Sequence, residues 1–374
     1  QAKLREFLPR AAAVTNPVVM IATAPAQSFK RALSIMLDDE GIDSVVVIYI
    51  PPLVTRPQDV AEAVKDVMST YTGDKPVINC FMMSEQAMES LRRDEKYSIR
   101  PFVFPEDAVA ALSLAYNYSL YKHMDEGSLV KFTDINAEAI RKTGWVREAT
   151  AKKGWMMPEA ALALMREYGI RTVETGVAQS GEEAALAAER LGYPVVMKVR
   201  SSRIVHKTDV GGIFVGLRDA GEVKNAFHAM SERIRSEGLA ADMQGVILQP
   251  MVKGAEEVIV GMSIDPVFGP LIMTGLGGVA VELIKDVAFS IHPLRDIDPE
   301  RMLSGLKSLP LLQGWRGRPK GDIAAIKDTL LRFSALVEDF PEIDIMEINP
   351  LMVMEEGSGC AAVDVRIYIK PVTQ

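Results

Sequence analysis

The sequence predicts an α/β protein built from more than one domain. Three observations carry that prediction. The chain has 374 residues, more than one compact core usually holds, so two or three domains are expected. In its first third, continuous apolar runs alternate with helical stretches, the pattern of a parallel sheet covered on both faces. Further on, the β-branched run Val195 to Val199 carries a lysine, Lys198. A lysine inside an otherwise buried strand needs an anionic partner.

Composition narrows the classes. Hydrophobic residues make up 48% and charged residues 25%, ordinary values for a globular protein. A net charge of -8 argues against a nucleic-acid or anionic-membrane partner. Two cysteines, Cys80 and Cys360, make neither a disulfide framework nor a metal cluster, so a reducing, cytoplasmic compartment is expected. No apolar stretch is long enough to span a bilayer, and no signal peptide is read. The chain begins at Gln1 and enters at once on AKLREFLPRAAAV, which reads as the tail of something longer.

In chain order, Val18 to Thr23 is a β-rich run and Phe29 to Leu37 a helix. Ser44 to Ile50 is a continuous apolar strand closed by Pro51 and Pro52. Pro57 to Tyr71 has helical periodicity with a proline in its first turn. Lys75 to Phe81 is a strand, Ser84 to Arg93 a helix with basic residues at its end, and Ile99 to Phe104 a short strand. Pro105-Glu106-Asp107 opens a helix that runs to Tyr121. Together these predict a flavodoxin-like parallel-sheet domain over residues 1–123. Nothing in it places a nucleophile beside a base, so it is expected to serve as scaffold and interface. Residues 124–155 are charge-rich with weak periodicity and are expected to be a linker with one or two short helices.

Residues 156–374 carry the chemistry. Pro158 to Tyr168 is an amphipathic helix stopped by Gly169. Thr172 to Thr175 starts a strand, and Gly181 to Leu191 is an alanine-rich helix. After the lysine strand comes SSRIVHKTDVGG, with His206, Lys207, Asp209, Gly211 and Gly212. Phosphate is a natural partner for such lysines. Paired glycines let backbone N–H groups approach it, and a histidine can itself carry a phosphoryl group. Lys198 alone reads as a core lysine reaching the surface; the cluster does not. Ile213 to Leu217 is a strand and Ala220 to Arg235 a helix. Gly245 to Val252 is a strand running into Pro250. Glu256 and Glu257 enter the next strand. Asp265 to Pro270 is a turn, followed by the strand Leu271 to Thr274 and the glycine-rich Gly275-Leu276-Gly277-Gly278, which suits close approach of backbone to a ligand. Arg316 or Arg318, in a glycine- and arginine-rich loop, is a candidate phosphate contact.

The last motif is Asp344 to Leu351, whose Glu347 and Asn349 point the same way at period two. Val363 to Ile367 reads as its neighbour, joined by a hairpin around Glu356 to Gly359. Oxygen donors on two adjacent strands make a hard-oxygen site. Mg²⁺ takes one or two such ligands and the rest from water and phosphates.

GYPVVMKVRSSRIVHKTDVGGIFVGL and DPVFGPLIMTGLGGVAVELIKD resemble the nucleotide-binding segment of the NDP-forming acyl-CoA synthetases, the ADP-forming acetyl-CoA synthetase group within the succinyl-CoA synthetase superfamily. The first third resembles the family's ligase-like flavodoxin domain through Asn16-Pro17, Gly41-Ile42-Asp43 and Pro105 to Val109. It departs at Val19, where the family often has aspartate. The resemblance covers essentially the whole chain and implies an ATP-grasp fold over 156–374, with two subdomains hinged near residues 249–252. It implies ATP or ADP bound by Lys198, Lys207, Gly211 and Gly212 at the phosphates, by Gln249, Met251 and Val252 at the adenine, by Glu257 at the ribose, and close to Gly277 and Gly278. It implies Asn349 and Asp364 as Mg²⁺ ligands and His206 as phosphoryl relay, with Glu347 nearby. The implied reaction interconverts acyl-CoA, ADP and phosphate with carboxylate, CoA and ATP. CoA would be bound by domains outside this chain: a CoA-binding domain and one with a second phosphohistidine, upstream or on a partner subunit of an oligomer. Two alternatives stand beside it: a synthetase-like regulatory ligand-binding module of a protein acetyltransferase, and another acyl-CoA ligase or lyase on the same scaffold.

Overall fold

The computed structural model describes residues 1–51, 55–83, 101–204, 206–252, 256–277 and 285–370. Internal contacts divide the chain into two units, Gln1–Asp125 and Glu126–Gln374.

In the first unit, β1 (Val45–Tyr49) and β2 (Val77–Phe81) pair in parallel, Val45 opposite Val77. A single parallel bridge joins Cys80 to Phe102. Val45, Val47 and Tyr49 face inward, against Val60 and Val64 of helix Pro57–Thr70 and Leu33 and Leu37 of helix Ala26–Leu37. The parallel arrangement is as expected, but β1 is not buried on both faces, since Ile48 is 49% exposed. The expected strand at Val18 to Thr23 is reduced to one antiparallel bridge, Ala13 with Val19. Prolines at 17 and 25 flank it, and a proline donates nothing to a ladder. Helix Pro105–His123 forms as expected, with Ala108 its buried residue. The expected helix Ser84 to Arg93 and the start of the Ile99 strand lie outside the described residues.

The second unit holds two antiparallel sheets. The smaller has the order β4-β7-β5-β6: β4 is Gly176–Ala178, β5 Val195–Val199, β6 Ile213–Leu217 and β7 Val246–Pro250. Its buried face packs on helices Gly181–Leu191 and Ala220–Ser236. Both helices begin where the sequence provides a capping side chain. Ser180 Oγ accepts from the Glu183 N–H (3.2 Å) and Asp219 Oδ1 from the Glu222 N–H (2.8 Å). Gly245 enters β7 at φ +108°, and a Cβ there would lie 2.3 Å from the Ala178 carbonyl oxygen. Only glycine lets these two strands close.

The larger sheet has the order β10-β9-β8-β11-β13-β3, with β12 also paired to β11. Its strands are β3 (Gly154–Trp155), β8 (Glu256–Asp265), β9 (Gly269–Leu276), β10 (Val287–Ile291), β11 (Ile343–Val353), β12 (Cys360–Ala362) and β13 (Val365–Ile369). Helices Pro158–Glu167 and Ile323–Asp339 complete its core, through Leu162, Met165, Leu330 and Phe333. Asp322 caps the second helix at Ala325 N (3.0 Å) and, through Oδ2, accepts from the N–H groups of Gly357 (3.0 Å) and Gly359 (2.8 Å), fixing the β11–β12 hairpin. His292 is also structural: its ring meets Ser334 Oγ (3.1 Å) and Glu338 Oε2 (2.8 Å) on that helix.

Of residues 124–155, expected as a linker, those from Glu126 onward fold with the second unit. Ile140 and Val146 enter its core, and β3 pairs with β13 through Trp155 and Tyr368. Both lie in short helices, Ala137–Lys142 and Gly144–Ala151, whose exposed charged residues mask the two buried positions. Cys80 and Cys360 are buried free thiols. Among the described residues no helix is long and apolar enough to cross a membrane.

Candidate active site

The site forms where β5 of the smaller sheet meets the β11–β13 end of the larger one. Lys198 lies in β5 with its neighbours Met197 and Val199 fully buried, and is itself only 6% exposed. Its Nζ donates to the Val363 carbonyl (3.1 Å). Burial pulls its pKa down to about 8, against the opposing field of Asp364 and with the help of Lys207 and Arg366. Gln249, in the adjacent β7 and 2% exposed, donates from Nε2 to the same carbonyl (3.0 Å) and to Thr175 Oγ1 (3.3 Å). Its Oε1 is buried without a partner.

Lys207 lies in the loop between β5 and β6. It is 4% exposed, and its Nζ donates to both carboxylate oxygens of Asp364, each at 2.7 Å. Burial pushes the Asp364 carboxyl up, but the ammonium groups of Lys198 and Lys207 outweigh it and hold it below the usual carboxylate range. The loop is closed from within. The Gly212 N–H donates to the Lys207 carbonyl (2.7 Å) and the Gly211 N–H to the Thr208 carbonyl (3.0 Å). A Cβ at Gly212 would meet Val199 Cγ1 at 2.6 Å. In this state the paired glycines tighten the loop rather than point their N–H groups outward. His206, next to Lys207, is exposed.

Glu347 and Asn349 share one face of β11, as period two predicts, and Asn349 Nδ2 donates to Glu347 Oε1 (2.9 Å). The Asn349 N–H donates to the Asp364 carbonyl (2.9 Å), which ties the two motif strands together. Opposite Glu347 in register is Arg366. Arg366, Lys207, Ser201, Ser202 and Trp155 line a shallow cleft beside the loop. Arg366 is missing from the sequence-derived set, although alternation along the strand expected over Val363 to Ile367 puts it on the same face as Asp364.

The remaining expected residues are more dispersed. Met251 is 37% exposed and its N–H is taken by the Pro194 carbonyl (3.1 Å); Val252, next to it, is half-buried. Glu257 is exposed at the start of β8, and its carbonyl accepts from the Gly277 N–H (2.6 Å). A Cβ at Gly277 would come within 2.8 Å of Glu257 Cβ. Gly278 lies outside the described residues. Arg318 pairs with Glu256 (2.8 Å), so it is already engaged. Asp286, at the end of the glycine-rich motif, accepts from the N–H groups of Lys307 (3.0 Å) and Ser308 (2.7 Å) and from the Ser308 hydroxyl. Its role is to hold the chain after β9.

Among the described residues there is no group of three or more His, Cys, Asp or Glu side chains that holds a metal by itself. The donor set nevertheless fits Mg²⁺, which needs one or two protein oxygens and takes phosphate oxygens and water for the rest. Asn349 and Asp364 carry side-chain oxygens of that kind, and the Lys207 ammonium already stands as a cation on Asp364.

The ATP-grasp domain family matches residues 148–369. The beta subunit of acetate–CoA ligase (ADP-forming) II from Pyrococcus furiosus is 39% identical over 216 residues, 58% of this chain and 92% of that subunit. The chain belongs to the ADP-forming acyl-CoA synthetase family. Acetate–CoA ligase (ADP-forming) I of Archaeoglobus fulgidus is 36% identical over 98% of this chain but 52% of its own length. The chain thus spans about half the length of the full-length synthetases it matches. Among solved structures, acetyl-coenzyme A synthetase 1 of Ca. Korarchaeum cryptofilum, in complex with coenzyme A, Ca-AMPCP and HgCl+, superposes with TM-score 0.56 at 37% identity, over 60% of this chain and 96% of that one.

Proposed function

We propose that this chain is the nucleotide-binding part of an ADP-forming acyl-CoA synthetase, converting acyl-CoA, ADP and phosphate to carboxylate, CoA and ATP and back. The observation that carries the reading is the buried cluster of Lys198, Lys207 and Asp364 beside Glu347 and Asn349. Two buried ammonium groups against one carboxylate leave a net positive charge that a polyphosphate satisfies.

Lys198 and Lys207 hold phosphate oxygens, with Arg366 reinforcing them from β13. Gln249, Met251 and Val252 border the base, with Glu257 at the ribose and Gly277 beside it. Gly211 and Gly212 give the His206 loop its tight turn. Asn349 and Asp364 hold Mg²⁺, which neutralises phosphate charge when bound. A lone pair on a His206 ring nitrogen forms a bond to the terminal phosphorus as the bond to the bridging oxygen breaks, and that electron pair leaves with ADP. The ring proton stays on the other nitrogen or passes to water. Glu347 stabilises the charged ring. Transfer of this kind depends on positioning and charge neutralisation.

Support for the metal and nucleotide comes from the Korarchaeum synthetase complexed with coenzyme A and Mg-AMPPCP, 34% identical with TM-score 0.52, whose phosphohistidine segment points towards the nucleotide site. Support for a partner comes from Pyrococcus furiosus, where beta and alpha subunits are separate chains. On this reading CoA binding and the second phosphohistidine fall to domains outside this chain, on the same polypeptide or another subunit of an oligomer in the cytoplasm. Calorimetric titration with Mg·ADP tests the reading. Lys198→Met is expected to weaken binding by about tenfold or more, roughly 1.4 kcal/mol. Unchanged affinity would contradict it.

A further inference from the structure

The Asp364 carboxylate proposed for Mg²⁺ is not free. Both oxygens accept from the Lys207 ammonium at 2.7 Å, and both side chains are nearly buried, 4% and 11% exposed. The ammonium takes one lone-pair site on each oxygen and repels a second cation brought alongside, so Lys207 where it stands opposes a metal ion on Asp364. Lys207 is fixed to a loop whose closure runs through its own carbonyl, bonded to the Gly212 N–H at 2.7 Å. The adjacent residue is His206.

Resting on the nucleotide reading above, we infer that Lys207 is a resident counter-ion for the metal site and that nucleotide binding is an exchange of partners. Without ligand, Lys207 neutralises Asp364 and holds the His206 loop against the entry to β13. When a magnesium nucleoside diphosphate or triphosphate enters, the metal takes Asp364 and the Lys207 ammonium moves to the phosphates that arrive with it. Each charge keeps a counter-charge throughout, so neither buried group is left bare. The exchange makes metal and nucleotide enter together: metal alone must evict Lys207 with no new partner for it. It also couples the arrival of nucleotide to the position of the histidine beside Lys207. Lys207 is then a positioning residue as well as a phosphate contact.

The test uses Mn²⁺ without nucleotide, read by the electron paramagnetic resonance of the free ion, on wild type, Lys207→Gln and the double variant Lys207→Gln/Asp364→Asn. The exchange predicts that Lys207→Gln binds Mn²⁺ about tenfold or more tighter than wild type. That gain must vanish in the double variant. Equal or weaker binding by Lys207→Gln overturns the inference. If Lys207→Gln does not fold, hydrogen exchange on wild type decides. The Gly212 amide must change its exchange rate by about tenfold when Mg·ADP binds, and an unchanged rate overturns the inference. Titration of wild type with Mg·ADP separates the two failures. No binding there refutes the nucleotide reading, whereas binding without either Lys207 effect refutes only the exchange.

Discussion

Replacing Asp364 by Asn keeps the shape of the side chain and removes its charge. The carboxylate now accepts both hydrogen bonds of the Lys207 ammonium and sits in the field of Lys198. After the substitution two lysines, 6% and 4% exposed, face each other without a counter-charge. Removing one partner of a buried ion pair costs about 3–5 kcal/mol. One Asn oxygen still accepts from Lys207, so the lower end, about 3 kcal/mol, is the expected loss. For a unit of this size that is a fall in Tm of roughly 6–12 °C. Lys207→Met removes the other partner but leaves Asp364 the charge of Lys198, and methionine suits a buried site. Its cost should be smaller, about 1–2 kcal/mol. Thermal unfolding by circular dichroism in metal-free buffer measures both. A Tm for Asp364→Asn within about 2 °C of wild type, or a larger loss for Lys207→Met, would refute the account of the cluster.

Two further predictions concern the frame around the site. Gly245→Ala forces a side chain into φ +108° and sets its Cβ 2.3 Å from the Ala178 carbonyl; urea unfolding should show a loss of about 2–4 kcal/mol. Asp286 is held below the usual carboxylate range, first by the Ser308 hydroxyl and also by the backbone N–H groups of Lys307 and Ser308. A carboxyl lowered on folding stabilises fully above its unfolded pKa, and the contribution fades as pH falls through the folded value. The stability gap between wild type and Asp286→Asn should therefore stay constant above about pH 4 and close below it; a gap independent of pH down to acid unfolding would exclude this role.

Local pattern made much of this fold legible. The lysine strand, the Glu347 and Asn349 face and the hairpin after them follow from apolar periodicity and turn residues close in sequence. Partners across long separations were not legible. Lys207 meets Asp364 157 residues away, and Lys198 meets the Val363 carbonyl 165 residues away. Nothing local in HKTDVGG says that its lysine faces a carboxylate and its glycines bond within the loop. Ile140 and Val146 were hidden for a different reason: two short helices expose so much charge that their single buried positions carry no period. Arg366 needed only the strand alternation already applied to Glu347 and Asn349.

His206 is the proposed acceptor of the phosphoryl group, in a site built by Lys198, Lys207, Asn349 and Asp364. The most direct measurement incubates the chain with Mg²⁺ and γ-labelled ATP and looks for acid-labile, base-stable label on the protein. Label is expected on wild type and is lost in His206→Ala while Mg·ADP binding persists. Binding of nucleotide with no label on wild type, or label that survives His206→Ala, would contradict this role for His206.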